Sequence, residues 1–329
     1  MILFYPIWLP GFIVAGLVTC RFGYQAWISI TANSRVTLPG LFRAVGVGVL
    51  GSVGRKTSVN AMPVLLKGGV PPFVAFAYLI ASRNLTIHFW SIYALSLGAE
   101  FATGQALGAL VMVLAATPVI HRLALCSVAG SIPGPLSAGD LSSEHSQSLP
   151  WNTLLLSPTG WWAVLKFMGR ESGRLAPSLA LGILFGGVIF AAGLQPWWPR
   201  FAEIFGHATF LSDLANAFVG AALSFVLSLS PVGNIPVVHA LFKADGLGYP
   251  GIISFCLASV IHRKDIKAYA SAFKQGKRVW LLAGLLYAGA VLGGLGSTWI
   301  YAAFDFRPSL PPIKLAGKLL EAFLNYLKH

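Results

Sequence analysis

TSVNAMPVLLKGGVPPFVAFAYLIAS, residues Thr57 to Ser82, and GNIPVVHALFKADGLGYPGIISFCLAS, residues Gly233 to Ser259, follow one pattern. Each runs Asn, Pro within three residues, a short apolar segment, Lys, a Gly-containing break with Pro, and an apolar segment ending in Ala-Ser. A bilayer core takes about 20 apolar residues in a helix. Ser58 to Leu66 and Pro72 to Ser82 are each too short to cross, as are Pro236 to Phe242 and Gly251 to Ser259. Two half-length helices around a break read as a re-entrant hairpin or a broken helix, which survives at membrane depth only inside protein or beside a water-filled cavity. Short interrupted segments at corresponding places in two halves point to two structural repeats and to the binding site of a transporter.

Composition agrees with a membrane setting. The 329 residues are 56% hydrophobic and only 10% charged, with a mean hydropathy of +0.73, against roughly 25% charged in globular domains. The formal charge of +13 reads as juxtamembrane topology signals that also meet anionic lipid. No recognition motif accompanies it, so nucleic acid is not an expected partner. Cys20, Cys126 and Cys256 are too scattered for a metal site or a disulfide framework. No HxxxH or HxxE spacing occurs among His88, His121, His207, His239 and His262, which disfavours a metal, and no cofactor is implied.

The fold class expected is therefore all-α, a polytopic integral membrane protein with two repeats, read as inverted, each containing a hairpin. The chain divides into a first transmembrane helix and connection (1–38), a first repeat (39–122), and a polar linker (123–160) rich in Ser, Gly and Pro. An interfacial helix from Trp161 to Arg174 and a span from Leu175 to Leu194 follow within 161–212, then a second repeat (213–304) and a terminal amphipathic helix (305–329). His88 to Ile120 reads as one long apolar segment with Glu100 and Gln105 near its middle. The basic run Ile261 to Arg278 is placed on the cytoplasmic side. Counting spans back from it inverts the second hairpin relative to the first, at the cost of Arg55, Lys56, Lys67 and Arg83 facing outward.

Met62-Pro63 with Lys67-Gly68-Gly69, AFAYLIASRNLTIHFW (Ala75 to Trp90), LGAEF (Leu97 to Phe101), GALVMVLA (Gly108 to Ala115) and SPVGNIPVVHAL (Ser230 to Leu241) together resemble the predicted permease family of bacterial and archaeal membranes that includes organoarsenical efflux permeases. The resemblance covers about Ala44 to Arg122 and Trp161 to Ala303. It implies a permease of the cell (inner) membrane, with efflux as one direction. The family commonly carries Cys just before the first hairpin, where this chain has Arg55-Lys56-Thr57-Ser58, so the thiolate that would select a soft metal is missing there. Where Asp often follows the Ala, this chain has Ser259. Glu is usual at the place of Gln105, while Glu100 stands where Gln is expected.

Asn60 and Asn234 sit at matching places, where an amide could hold solute or ion beside the N–H groups freed by the break. The plainer role of each is to cap its half-helix. Ser58 and Ser230 are weaker versions of the same expectation. Glu100 and Gln105 complete the substrate-binding candidates, Glu100 as an intramembrane acid that carries protons or pairs with Arg83, Lys67 or Lys243. Pro63 and Pro236 read as first-turn backbone devices, and Gly68, Gly69 and Gly246 as residues that allow the reversal.

The reading is a secondary transporter of a small solute or ion by alternating access, since no Walker A sequence is present. It sits in the lipid bilayer, with homo-oligomerisation left open. The rivals are a membrane-embedded lipid-modifying enzyme built on Glu100 and a transport-inactive scaffold protein.

Overall fold

Backbone N–H and C=O groups have no water to pair with inside a bilayer, so an apolar chain closes its hydrogen bonds within helices. The computed structural model describes residues 9–21, 37–50, 65–66, 70–125, 149–197, 209–262, 265–266 and 276–306. Every regular element among them is helical. In chain order they are α1 (Leu9–Arg21), α2 (Leu38–Leu50), α3 (Pro72–Asn84), α4 (Ile87–Leu97), α5 (Ala99–Leu125), α6 (Trp151–Leu156), α7 (Pro158–Gly193), α8 (Phe210–Leu227), α9 (Pro231–Lys243), α10 (Tyr249–Leu257) with a closing 3₁₀ turn (Ala258–Val260), and α11 (Gly276–Ala303). Four of them hold stretches long and apolar enough to cross a membrane: Ala99–Ile120, Pro158–Gly193, Phe210–Leu227 and Val279–Ala303.

Helices α3 and α10 form the centre. Their sequences are apolar on every face until α3 ends in Ser82, Arg83 and Asn84, so they need burial all round, and Val74 to Asn84 and Pro250 to Leu257 are all buried. Helices α2 and α5 cover α3, while α8, α11 and α5 cover α10, and α5 lies along α11. The outer helix α7 turns Trp162, Leu181, Ile183, Leu184, Val188 and Phe190 outward, the apolar belt that lipid requires.

Small residues set the close crossings, as expected where packing rather than water drives helix association. A methyl on Gly186 of α7 would come within 2.7 Å of the Pro236 carbonyl oxygen of α9. One on Gly251 of α10 would come within 2.8 Å of the Asn216 carbonyl oxygen of α8. Gly108 of α5 and Gly293 of α11 meet backbone to backbone.

The structure departs from the expected spans at three places. His88 to Ile120 is two helices, because Gly98 at φ 100° and ψ 155° ends α4 in a region open to glycine. Glu100 therefore lies in the first turn of α5, and only Gln105 lies deeper. The expected interfacial helix and the span after it are one 36-residue helix, α7, which continues through Pro177 and measures about 54 Å at 1.5 Å per residue. The first half-helix of the second hairpin begins at Pro231, so Pro236 lies inside α9 rather than in its first turn. Ser58, Asn60, Pro63, Lys67, Gly68 and Gly69, most of the polar linker and the terminal amphipathic helix lie outside the described residues.

Candidate functional site

The start of α9 shows how local chemistry places the one described hairpin Asn. Ser230 is the N-cap: its hydroxyl accepts from the Gly233 N–H at 3.3 Å, and Pro231 follows at the first helical position, where a missing N–H costs nothing. The Ser230 N–H in turn donates to the Ser178 hydroxyl of α7 at 2.7 Å. With Ser230 as cap, Asn234 is not needed in that role. It sits a turn further on, completely buried, its backbone N–H bonded to the Ser230 carbonyl at 3.1 Å. Neither Nδ2 nor Oδ1 of its amide has a hydrogen-bond partner.

Tyr93 of α4 closes over this turn. Its hydroxyl donates to the Pro231 carbonyl at 2.8 Å, and the Asn234 amide and the Cys256 thiol of α10 flank the same oxygen without ordinary hydrogen-bond geometry to the amide. One turn along α9, His239 Nε2 meets the Ser96 carbonyl of α4 at 2.9 Å. Helix α9 is thus clamped between α7 and α4, with Asn234 beside Tyr93.

The reversal after α9 differs from the glycine turn expected of Gly246. Asp245 takes the left-handed conformation, φ 51°, which Asp tolerates better than most residues. The Gly246 N–H donates to the Leu241 carbonyl at 2.8 Å and that of Asp245 to the Phe242 carbonyl at 3.3 Å, the pairing of a Schellman cap. Asn216 of α8 then fixes the start of α10, accepting from the Gly248 N–H at 2.7 Å and donating to the Ser212 carbonyl at 3.0 Å.

A second group of polar side chains gathers where α3 ends. Arg83, 2% exposed, donates to the Ser259 carbonyl at 2.6 Å and faces Asp265 at 3.5 Å. Its guanidinium joins the end of α3 to the turn that closes α10. Ion pairing of this kind is what a guanidinium needs when it is taken out of water. Asn84 and Thr86 follow, both buried, and neither the Asn84 amide nor the Thr86 hydroxyl has a partner. Gln105 of α5 approaches from the side, Nε2 at 3.5 Å from the Asn84 carbonyl.

Glu100 is half-buried in the first turn of α5, where a carboxylate is favoured by the helix dipole. The Tyr301 hydroxyl of α11 donates to its carbonyl at 2.7 Å, and Thr103 meets the same hydroxyl. Tyr301 stacks on Tyr249, which lies against Phe101. Lys243 is exposed at the end of α9.

Of the expected site residues, Ser230 and Asn234 share one turn, while Glu100 and Gln105 sit at separate levels of α5. Ser58 and Asn60 lie outside the described residues. Sequence reasoning missed Tyr93, Asn84, Thr86, Asn216 and the contact made by Arg83. The available signal was their polarity: Arg83, Asn84 and Thr86 stand together within the apolar run from Val70 to Leu97.

The sequence profile of the family described as Predicted permease (ArsP_1) matches residues 1–296. A protein of Mycobacterium tuberculosis strain H37Rv named "Putative permease Rv2963" is 27% identical over 282 residues, spanning 81% of this chain and 67% of its own. No solved structure matches the chain. With the hairpin, the apolar spans and a family match over most of its length, the chain belongs to the predicted permease family.

Proposed function

We propose that the protein is a secondary transporter of the cell membrane that moves a small solute by alternating access around two hairpins, with Asn234 as a solute-facing residue and Asn60 as its counterpart. The observation that carries this reading is the Asn234 amide, fully buried and without a hydrogen bond of ordinary geometry on either atom, the Tyr93 hydroxyl beside it being given to the Pro231 carbonyl. Such a group costs about 1–3 kcal/mol. A sequence that could have placed Leu there keeps the amide where a passing solute satisfies it.

The packing order supports two repeats. In the first half α2 packs on α3 and α3 on α5; in the second α8 packs on α10 and α10 on α11; α5 and α11 then join the halves. Ser230 is a positioning residue, since its hydroxyl is engaged as the cap. Gln105 is a second solute-facing amide. Glu100, at a helix start beside Tyr301, serves the end of α5 rather than a proton path at mid-span.

Reconstitution in liposomes, with a solute screen run with and without a proton gradient, tests the proposal. Solute flux above protein-free liposomes is expected, cut by about tenfold or more in Asn234→Leu and Asn60→Ala. Absence of flux for every solute, with Asn234→Leu and Asn60→Ala cells growing as wild type, would refute transport and favour the scaffold reading.

A further inference from the structure

We infer that Asn84, Thr86 and Ser259, set against the Arg83–Asp265 pair, form a binding station for a small uncharged solute carrying hydroxyl or amide groups. The inference rests on the transport reading above and deepens it by naming a second site and a solute class.

Helices α3 and α4 are joined through Leu85 and Thr86, and Thr86 is the N-cap of α4. A Thr at that place ordinarily turns its hydroxyl to a first-turn N–H. Thr86 makes no such bond, and its buried oxygen has no partner. Asn84, two residues earlier, leaves both amide atoms unpartnered, and across the interface so does the Ser259 hydroxyl. The residues that carry these four atoms belong to one junction: the helix that ends at Asn84 packs on the turn that holds Ser259, and Arg83, next to Asn84 in the chain, bonds the Ser259 carbonyl at 2.6 Å. Buried polar atoms in folded proteins are nearly always satisfied, so a cluster of them at one junction marks a place where a ligand supplies the bonds.

The chemistry on offer sets the solute class. An amide both donates and accepts, and each hydroxyl does the same. The formal charges of Arg83 and Asp265 oppose each other at 3.5 Å. A net charge entering this junction would meet a compensated pair rather than a counter-ion, whereas an uncharged solute with donors and acceptors matches all three side chains.

The station also lies in line with the Asn234 turn. Ser259 follows Cys256 by three residues, roughly 4.5 Å along the helix and on one face of it, and Cys256 flanks the Tyr93 hydroxyl beside Asn234.

The test uses the full-length protein in liposomes, with stopped-flow light scattering under gradients of glycerol, erythritol and urea, and of potassium chloride as the charged probe. At least one uncharged probe is expected to enter faster than into protein-free liposomes, and Asn84→Leu and Thr86→Val are each expected to slow it by about tenfold or more. The unfolding midpoint of Asn84→Leu in detergent should hold or rise, because an unpartnered amide is replaced by an apolar side chain with the same branching. Flux of potassium chloride alone would overturn the station while leaving a permease. Absence of flux for all probes would overturn the station, the transport reading then resting on the wider solute screen. A lower midpoint for Asn84→Leu with unchanged flux would show Asn84 to be structural and also overturn it.

Discussion

Replacing Gly108 with Ala tests whether α5 and α11 are held backbone to backbone. The added methyl would stand 2.8 Å from the Gly293 carbonyl oxygen, 3.0 Å from Leu257 Cδ1 and 3.1 Å from Ile253 Cγ2. The reciprocal Gly293→Ala places its methyl 2.5 Å from the Gly108 carbonyl oxygen and from Leu257 Cδ1. Carbon to carbonyl-oxygen contacts settle at about 3.3–3.6 Å, so either substitution asks the helices to part by roughly 0.5–1 Å. Leu257 can rotate away, but a carbonyl inside a helix cannot. Helix α11 is held again one residue on, where a methyl on Gly294 would meet the Pro250 carbonyl oxygen at 2.5 Å. Overpacking of this kind costs about 1–3 kcal/mol, and the midpoint of thermal unfolding in detergent should fall by roughly 5 °C. The two substitutions strain one contact, so the double variant should lose less than the sum of the singles by at least ~0.5 kcal/mol. Gly284→Ala is the control, since a methyl there meets nothing within 4 Å and Ala favours the helix by about 1 kcal/mol. If Gly108→Ala unfolds at or above the wild-type midpoint, as Gly284→Ala should, the close crossing is refuted.

Three further outcomes follow from the same contacts. Ser230→Ala removes the cap of α9 and should cost about 0.5–2 kcal/mol by thermal unfolding, while Ser230→Asp should restore most of it. Arg83→Met removes the guanidinium that faces the buried Asp265 carboxylate and should cost about 3–5 kcal/mol, whereas Arg83→Met with Asp265→Leu should recover much of the loss; equal destabilisation of the single and double variants would contradict the pairing. Gly98→Ala forces a methyl into φ 100° and should cost about 1–3 kcal/mol, read as a lower midpoint and faster proteolysis between α4 and α5.

The membrane class, the family and the second hairpin were legible because they rest on composition and on spaced punctuation by Gly and Pro. The helix start at Ser230 was legible in principle, since Ser followed by Pro231 is a complete N-terminal signal, but the symmetry with Asn60 drew attention to Asn234 instead. Glu100 was misplaced because hydropathy alone cannot see a break at Gly98, where every neighbour is apolar and only a backbone angle changes. The polar linker ending near Gly160 and the aromatic, basic start of Trp161 to Arg174 suggested a separate helix, yet Pro177 at the exposed side of α7 does not break the run. The Arg83 contact was illegible because it joins residues 176 apart in sequence, and a single chain carries no record of which distant carbonyl a guanidinium reaches.

The two halves are alike in packing order and unlike where they touch. At the Ala-Ser that ends each hairpin pattern, the first half continues with Arg83 and Asn84 and the second with Val260 and Ile261. A symmetric pair of arginines at one buried junction would repel across a short gap, so only one half can carry the cation, and the other offers it the Ser259 carbonyl and Asp265. A rearrangement that pulled Arg83 from Ser259 and Asp265 would expose a buried charge at several kcal/mol. Under the proposed alternating access, the ends of α3 and α10 therefore move as one body, and the access change falls on helices that lack such a tie to this junction.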